Sequence, residues 1–137
     1  MRNVKKAYES SRPWSFNMSL TTVFLAAAYA TYFSSVIEPV YLLLLSIIAL
    51  GVVALHAMVN WLNDYFDYMR GIDREGVGTT LYRPHPILSR VFKPHELLIA
   101  SLSLGAFAIL MGLSLVFLFD RPLVLLFGFA GMFLALF

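Results

Sequence analysis

No cysteine occurs in the chain, which excludes disulfides, thiolate nucleophiles and zinc-thiolate sites while fixing no redox compartment. Charge is almost as scarce. Of 137 residues, 13% are Asp, Glu, Lys or Arg and 60% are hydrophobic, whereas an ordinary soluble domain carries about 25% charged residues. That balance excludes a typical soluble globular domain and defines a membrane protein of about one domain. Internal repeats and low-complexity segments are absent too. The opening stretch MRNVKKAYESSRPWSFNMS is basic but lacks a small-residue cleavage site behind its apolar run, so no removable signal peptide is expected.

The uncharged intervals set the architecture. No Asp, Glu, Lys or Arg falls between Arg12 and Glu38, between Glu38 and Asp64, or between Glu96 and Asp120, and each interval can hold the roughly 20 apolar residues that cross a bilayer core. The expected fold class is therefore all-α, a polytopic transmembrane helix bundle, with spans at 17–36, 40–62 and 95–119. A fourth apolar run, 122–137, falls somewhat short of the roughly 17 to 25 residues of a full span. It is expected to be a helix cut short, which would make the chain part of a longer protein. Glu38-Pro39 closes the first helix, because proline cannot continue a helix interior, and Pro94 opens the third at the tolerated first turn. Gly71, Gly76, Gly78, Pro84 and Pro86 break up the intervening loop, 63–94. Arg2, Lys5, Lys6 and Arg12 precede span one, and Arg70, Arg74, Arg83, Arg90 and Lys93 lie in that loop, so the positive-inside bias puts both on the cytoplasmic side of the cell membrane.

What the chain does have is a polar cluster at the end of its second apolar run, NWLNDYFDYMRGID, residues 60–73. If the helix continues to Gly71, then His56, Asn60, Asn63, Asp64, Asp67 and Gly71 share an arc about 80 to 100° wide. Such a stripe suits the wall of a cavity, because carboxylates at membrane depth are costly unless they face water, a bundle interior or a cation. Asp64 and Asp67 repel each other unless something positive lies between them. Mg²⁺ is the natural candidate, since it takes one or two carboxylates and completes its shell with water and substrate phosphate. Arg70, Arg74 and Arg83 have forks that match phosphate oxygens. Blander readings stand beside these: hydrated acids at a helix end, orientation-setting arginines, interface-belt aromatics at Trp61, Tyr65, Phe66 and Tyr68, and a hydrogen-bonded interior histidine at His56.

Asn63-Asp64-Tyr65-Phe66-Asp67, extended as NDYFDYMRGID through Gly71 and Asp73, resembles the first aspartate-rich motif, N-D-x-x-D, of the UbiA superfamily of intramembrane prenyltransferases, most of all the branch that prenylates dihydroxynaphthoate for menaquinone. Arg12-Pro13-Trp14 resembles the Arg-Pro that opens span one in that family. His85-Pro86-Ile87-Leu88-Ser89 stands where Arg-Pro-x-x-Ser is usual, with Arg90 where glycine is common. Gly71 occupies the place of a third aspartate, which leaves Asp73 to serve. The resemblance implies a fold of about nine helices, of which roughly four are here, in a single prenyltransferase domain whose N-terminal part is 1–137.

It also implies Mg²⁺-dependent transfer of a polyprenyl group from its diphosphate to an aromatic acceptor, in menaquinone-type quinone biosynthesis. Asp64 and Asp67 would be catalytic and, with Asp73, hold the metal. Asn63, Arg70, Arg74 and Arg83 would bind diphosphate, with Asn60, His56 and His85 as further candidates. The implied partners are polyprenyl diphosphate, the acceptor and the lipid bilayer, not nucleic acid. Oligomeric state is not encoded. Alternatives are another acceptor within the superfamily (an archaeal ether lipid, haem or chlorophyll precursor), an ion-coupled transporter using Asp64, Asp67 and His56, or a noncatalytic scaffold. A phosphatidyltransferase would need an Asp-Gly, Ala-Arg signature that is missing.

Overall fold

The computed structural model describes residues 4–34 and 38–136, and every regular element among them is helical. A short helix α1 (Val4–Ser10) leads through a 3₁₀ turn (Pro13–Ser15) into α2 (Phe16–Ser34). Then follow α3 (Pro39–Met69), a 3₁₀ turn (Gly78–Leu81), α4 (Pro94–Phe119) and α5 (Leu123–Leu136). The last positions of the first expected span, 35–36, and Phe137 lie outside the described residues.

Helix α3 overruns the expected boundary near Leu62 and continues to Met69. At about 1.5 Å per residue it is about 46 Å long, well beyond a hydrocarbon core of about 30 Å. Its polar last turns therefore project from the apolar layer. Proline at the first turn starts it, and Gly71 at φ 70° stops it, a left-handed conformation that costs glycine nothing. Ile72 and Asp73 donate their backbone N–H groups back to the Asp67 carbonyl at 2.9 and 3.3 Å, which folds Asp73 over the helix end.

Helices α3 and α4 are both long and apolar enough to cross a membrane. Asn17, Ser19, Thr21 and Thr22 dilute the apolar character of α2, and two of these, Thr21 and Thr22, return their hydroxyls to carbonyls one turn back. Helix α4 begins at Pro94, with the Lys93 N–H donating to Glu96 Oε2 at 2.8 Å, and ends at Asp120 in a left-handed cap.

The α3–α4 pair is the spine of the molecule, with α2 against α3 and α5 against α4. The two central helices run antiparallel and seat each other's methionines. A Cβ on Gly105 of α4 would lie 2.5 Å from Met58 Sδ, and one on Gly51 of α3 would lie 3.2 Å from Met111 Cβ. Small residues permit such approach where lipid supplies no hydrophobic drive between helices. Outward-facing Leu42, Leu50, Leu102, Phe107, Leu110 and Phe117 stay exposed, as lipid-facing side chains do. Burial instead concentrates where residues 83–92 fold back over the end of α3, with Leu62, Ile87, Val91 and Leu97 at its centre.

Candidate functional site

Asp64 is completely buried at the projecting end of α3. Two cations from distant parts of the chain reach it. Arg83 donates from Nη1 to Oδ2 at 2.9 Å and from Nη2 to Oδ1 at 2.6 Å, a bidentate fork. Arg12 donates from Nη2 to Oδ1 at 2.6 Å. Charge-assisted contacts this short are the strong kind, and one carboxylate between two guanidinium groups leaves the triad net positive. Arg12 sits at φ 61°, an unusual conformation for a side-chain-bearing residue, and its Nε is buried with no hydrogen-bond partner. A cavity of about 210 Å³ lined by Arg12, Trp14, Tyr82 and Arg83 opens beside the triad.

The N-terminal segment is tied to α3 by a chain of hydroxyls and amides. Asn60 donates to the Ser11 carbonyl at 2.9 Å and to Ser15 Oγ at 3.3 Å. His56 lies between Ser15 Oγ at 3.1 Å and Ser19 Oγ at 2.8 Å, and Trp61 Nε1 donates to Ser10 Oγ at 3.2 Å. Asn60 and His56 thus fasten α2 and the turn carrying Arg12, which places Arg12 over Asp64.

Across the helix end, Asp73 and the buried His85 are 3.2 Å apart, Oδ2 to Nε2. One ligand atom from each of Asp64, Asp73 and His85 lies within 4.8 Å of the others. Asp67 does not join them: it is half-buried one turn further along α3, its carboxylate without a hydrogen bond or ion pair to any described residue. Asn63 is exposed beside it. Arg74 donates from Nε to the Gly71 carbonyl at 2.9 Å, and Arg70 lies over the Phe66 ring at 5.8 Å; both are exposed. The structure brings Asp64, Arg83, Asp73 and His85 together and leaves Asn63, Arg70 and Arg74 on the outer surface.

The donor chemistry suits a hard divalent ion. A carboxylate oxygen has two acceptor positions. Asp64 Oδ2 receives only Arg83 Nη1, and no described residue donates to Asp73 Oδ1, so each aspartate keeps an oxygen lone pair for a cation. Sequence reasoning missed Arg12 as a partner of Asp64. The Arg-Pro pair at 12–13 was the available signal, but nothing in it points to a residue 52 positions away.

Apolar helices that bring a buried carboxylate, two cations and further oxygen donors together at one end define a membrane helix bundle with a polar cluster at its mouth. The chain belongs to the UbiA prenyltransferase family, whose profile matches residues 13–137. Among curated proteins it is similar to UbiA prenyltransferase domain-containing protein 1 of Danio rerio (41% identical over 64 residues) and of Homo sapiens (42% over 64), and to the Drosophila melanogaster homolog (39% over 64). In each case the matched stretch covers 47% of this chain and 18% of the relative. No solved structure matches.

Proposed function

We propose that this chain supplies the first aspartate-rich half of an intramembrane prenyltransferase that moves a polyprenyl group from its diphosphate to an aromatic acceptor, in menaquinone-type quinone synthesis at the cell membrane. Family membership over 13–137 supports prenyl transfer in general. The observation that supports a diphosphate and metal site here is the meeting of Arg12 and Arg83 on Asp64, next to Asp73. In this reading Asp64 and Asp73 are oxygen donors for Mg²⁺ in the cluster, Asp67 is a further metal carboxylate one turn along α3, and the N-terminus and the 63–94 loop face the cytoplasm, where the basic residues lie. The menaquinone branch rests on the NDYFDY resemblance.

Bound there, the cation would neutralise charge on the departing diphosphate. The chain's own groups do the remainder. Arg12, together with the Arg83 fork held rigid by Asp64 and the Ser10 carbonyl at 3.3 Å, presents a fixed positive field to the diphosphate; preorganised charge of this kind needs no rearrangement as the bond breaks. Trp14 and Tyr82 line the same cavity, and their faces suit an allylic cation. The apolar tail would lie against lipid-facing α2 and α3.

Asp67→Asn is the cleanest test, because that carboxylate has no partner among the described residues and its loss leaves the fold intact. In the full-length protein it is expected to lower metal-dependent prenyl transfer by at least about 100-fold, in the range seen when a charge-stabilising group is removed, with an unchanged melting temperature. Turnover within a few-fold of wild type would overturn the role of Asp67. Restoration of menaquinone in cells lacking their dihydroxynaphthoate prenyltransferase tests the acceptor.

A further inference from the structure

His85 is drawn into the candidate metal cluster by distance alone, yet its hydrogen bonds give it a different part. Its Nδ1 faces two backbone donors, the N–H of Ile87 at 3.2 Å and of Leu88 at 3.3 Å. A ring nitrogen that accepts from amides carries no proton, so the imidazole proton is on Nε2. That N–H points at Asp73 Oδ2, 3.2 Å away. Both ring nitrogens are therefore committed, and neither has a lone pair left for a cation.

The ring has little freedom to do otherwise. Its side chain is 1% exposed, Pro86 beside it is fully buried, and Tyr68 of α3 lies against it with ring centroids 6.2 Å apart. The turn that follows is closed by Ser89 N–H to the His85 carbonyl at 3.0 Å and Arg90 N–H to the Ile87 carbonyl at 2.8 Å. The loop fixes the ring, and the ring fixes Asp73.

We infer that His85 is a positioning residue: it converts the backbone turn at 85–88 into a fixed Nε2–H that holds Asp73 Oδ2 and leaves Oδ1 for the cation. This rests on the proposed role of Asp73 as a metal donor. Partners that orient a metal-binding carboxylate or imidazole typically change metal affinity by about 10–100-fold when removed.

Two substitutions separate this role from turn-capping. The Oδ1 of His85→Asn stands where Nδ1 was and can accept the Ile87 N–H, as asparagine does in tight turns, but nothing replaces Nε2. The Nε2 amide of His85→Gln retains a donor toward Asp73 and gives up the cap. The probe is Mn²⁺ alone, titrated into the detergent-solubilised full-length protein with free Mn²⁺ read by electron paramagnetic resonance, alongside thermal melts. Expected are a 10–100-fold weaker Mn²⁺ affinity for His85→Asn at a near-wild-type melting temperature, and near-wild-type affinity for His85→Gln at a lowered one. In an Asp73→Asn background the effect of His85→Asn should vanish.

Equal affinities in wild type and His85→Asn would overturn the inference while leaving the metal reading intact. So would parallel losses that follow the melting temperature, which mean a turn cap only, or abolished binding in both variants, which means direct ligation. A wild-type protein that binds no Mn²⁺ would remove the metal reading itself and the positioning role with it.

Discussion

Asp64 has no exposure, and two arginine contacts make its burial tolerable. Breaking a buried pair by removing one partner leaves an uncompensated charge, at a cost of about 3–5 kcal/mol. Arg83, with 4% of its side chain exposed, holds both oxygens of Asp64, whereas Arg12 is 27% exposed and holds one. Arg83→Ala should therefore destabilise the protein by roughly that amount and Arg12→Ala by distinctly less, an order that thermal melts in one detergent would check. Equal effects would mean that Arg12 is as buried in solution as Arg83. Arg90 offers a gain instead. Its φ of 56° is a left-handed conformation that costs a side-chain-bearing residue roughly 1–2 kcal/mol, so Arg90→Gly should raise the melting point. The resemblance to a family with glycine there made the position conspicuous before any geometry was known. The Asp64 triad was another matter. Arg83 was a candidate for diphosphate and Asp64 for metal, but that they bind each other follows from a chain reversal between them that no local pattern contains.

Among the elements, α3 shows what periodicity can and cannot deliver. The polar stripe from His56 through Asp67 required the helix to run on past Leu62, and Gly71 was read as a breaker; the helix ends at Met69 with Gly71 in a left-handed turn. Hydropathy marks the apolar span and not the helix, because the last turns leave the apolar layer without leaving the helix. The reciprocal seating of Met58 and Met111 was legible only as a scatter of small residues, since which glycine meets which partner depends on the crossing of two helices. Gly105→Leu should push Met58 aside and strain the α3–α4 contact by about 1–3 kcal/mol, the usual range for overpacking. Gly128→Leu on α5, where an added Cβ meets nothing within 4 Å, should be close to neutral. Comparing the two in a melt isolates the helix contact from the mere introduction of bulk.

For the molecule as a whole, composition carried most of the information about class: scarce charge gave a membrane helix bundle, and basic residues at the N-terminus and in the long loop gave it a proposed orientation. What composition could not give is that the loop is a structural part of the site and not a tether. Residues 83–92 supply Arg83, His85, Ile87 and Val91 to the buried end of the bundle. The order in which these parts are made has a consequence of its own. Asp64 draws one partner from 52 residues before it and another from 19 residues after it. A ribosome adding roughly 5–20 residues per second delivers the later arginine about 1–4 s behind the aspartate. During that interval the only one of the two partners yet made is the N-terminal one, so the fork from Arg83 is the final clasp of biogenesis, and a chain halted between the two has an acid with one of its three arginine hydrogen bonds available to it.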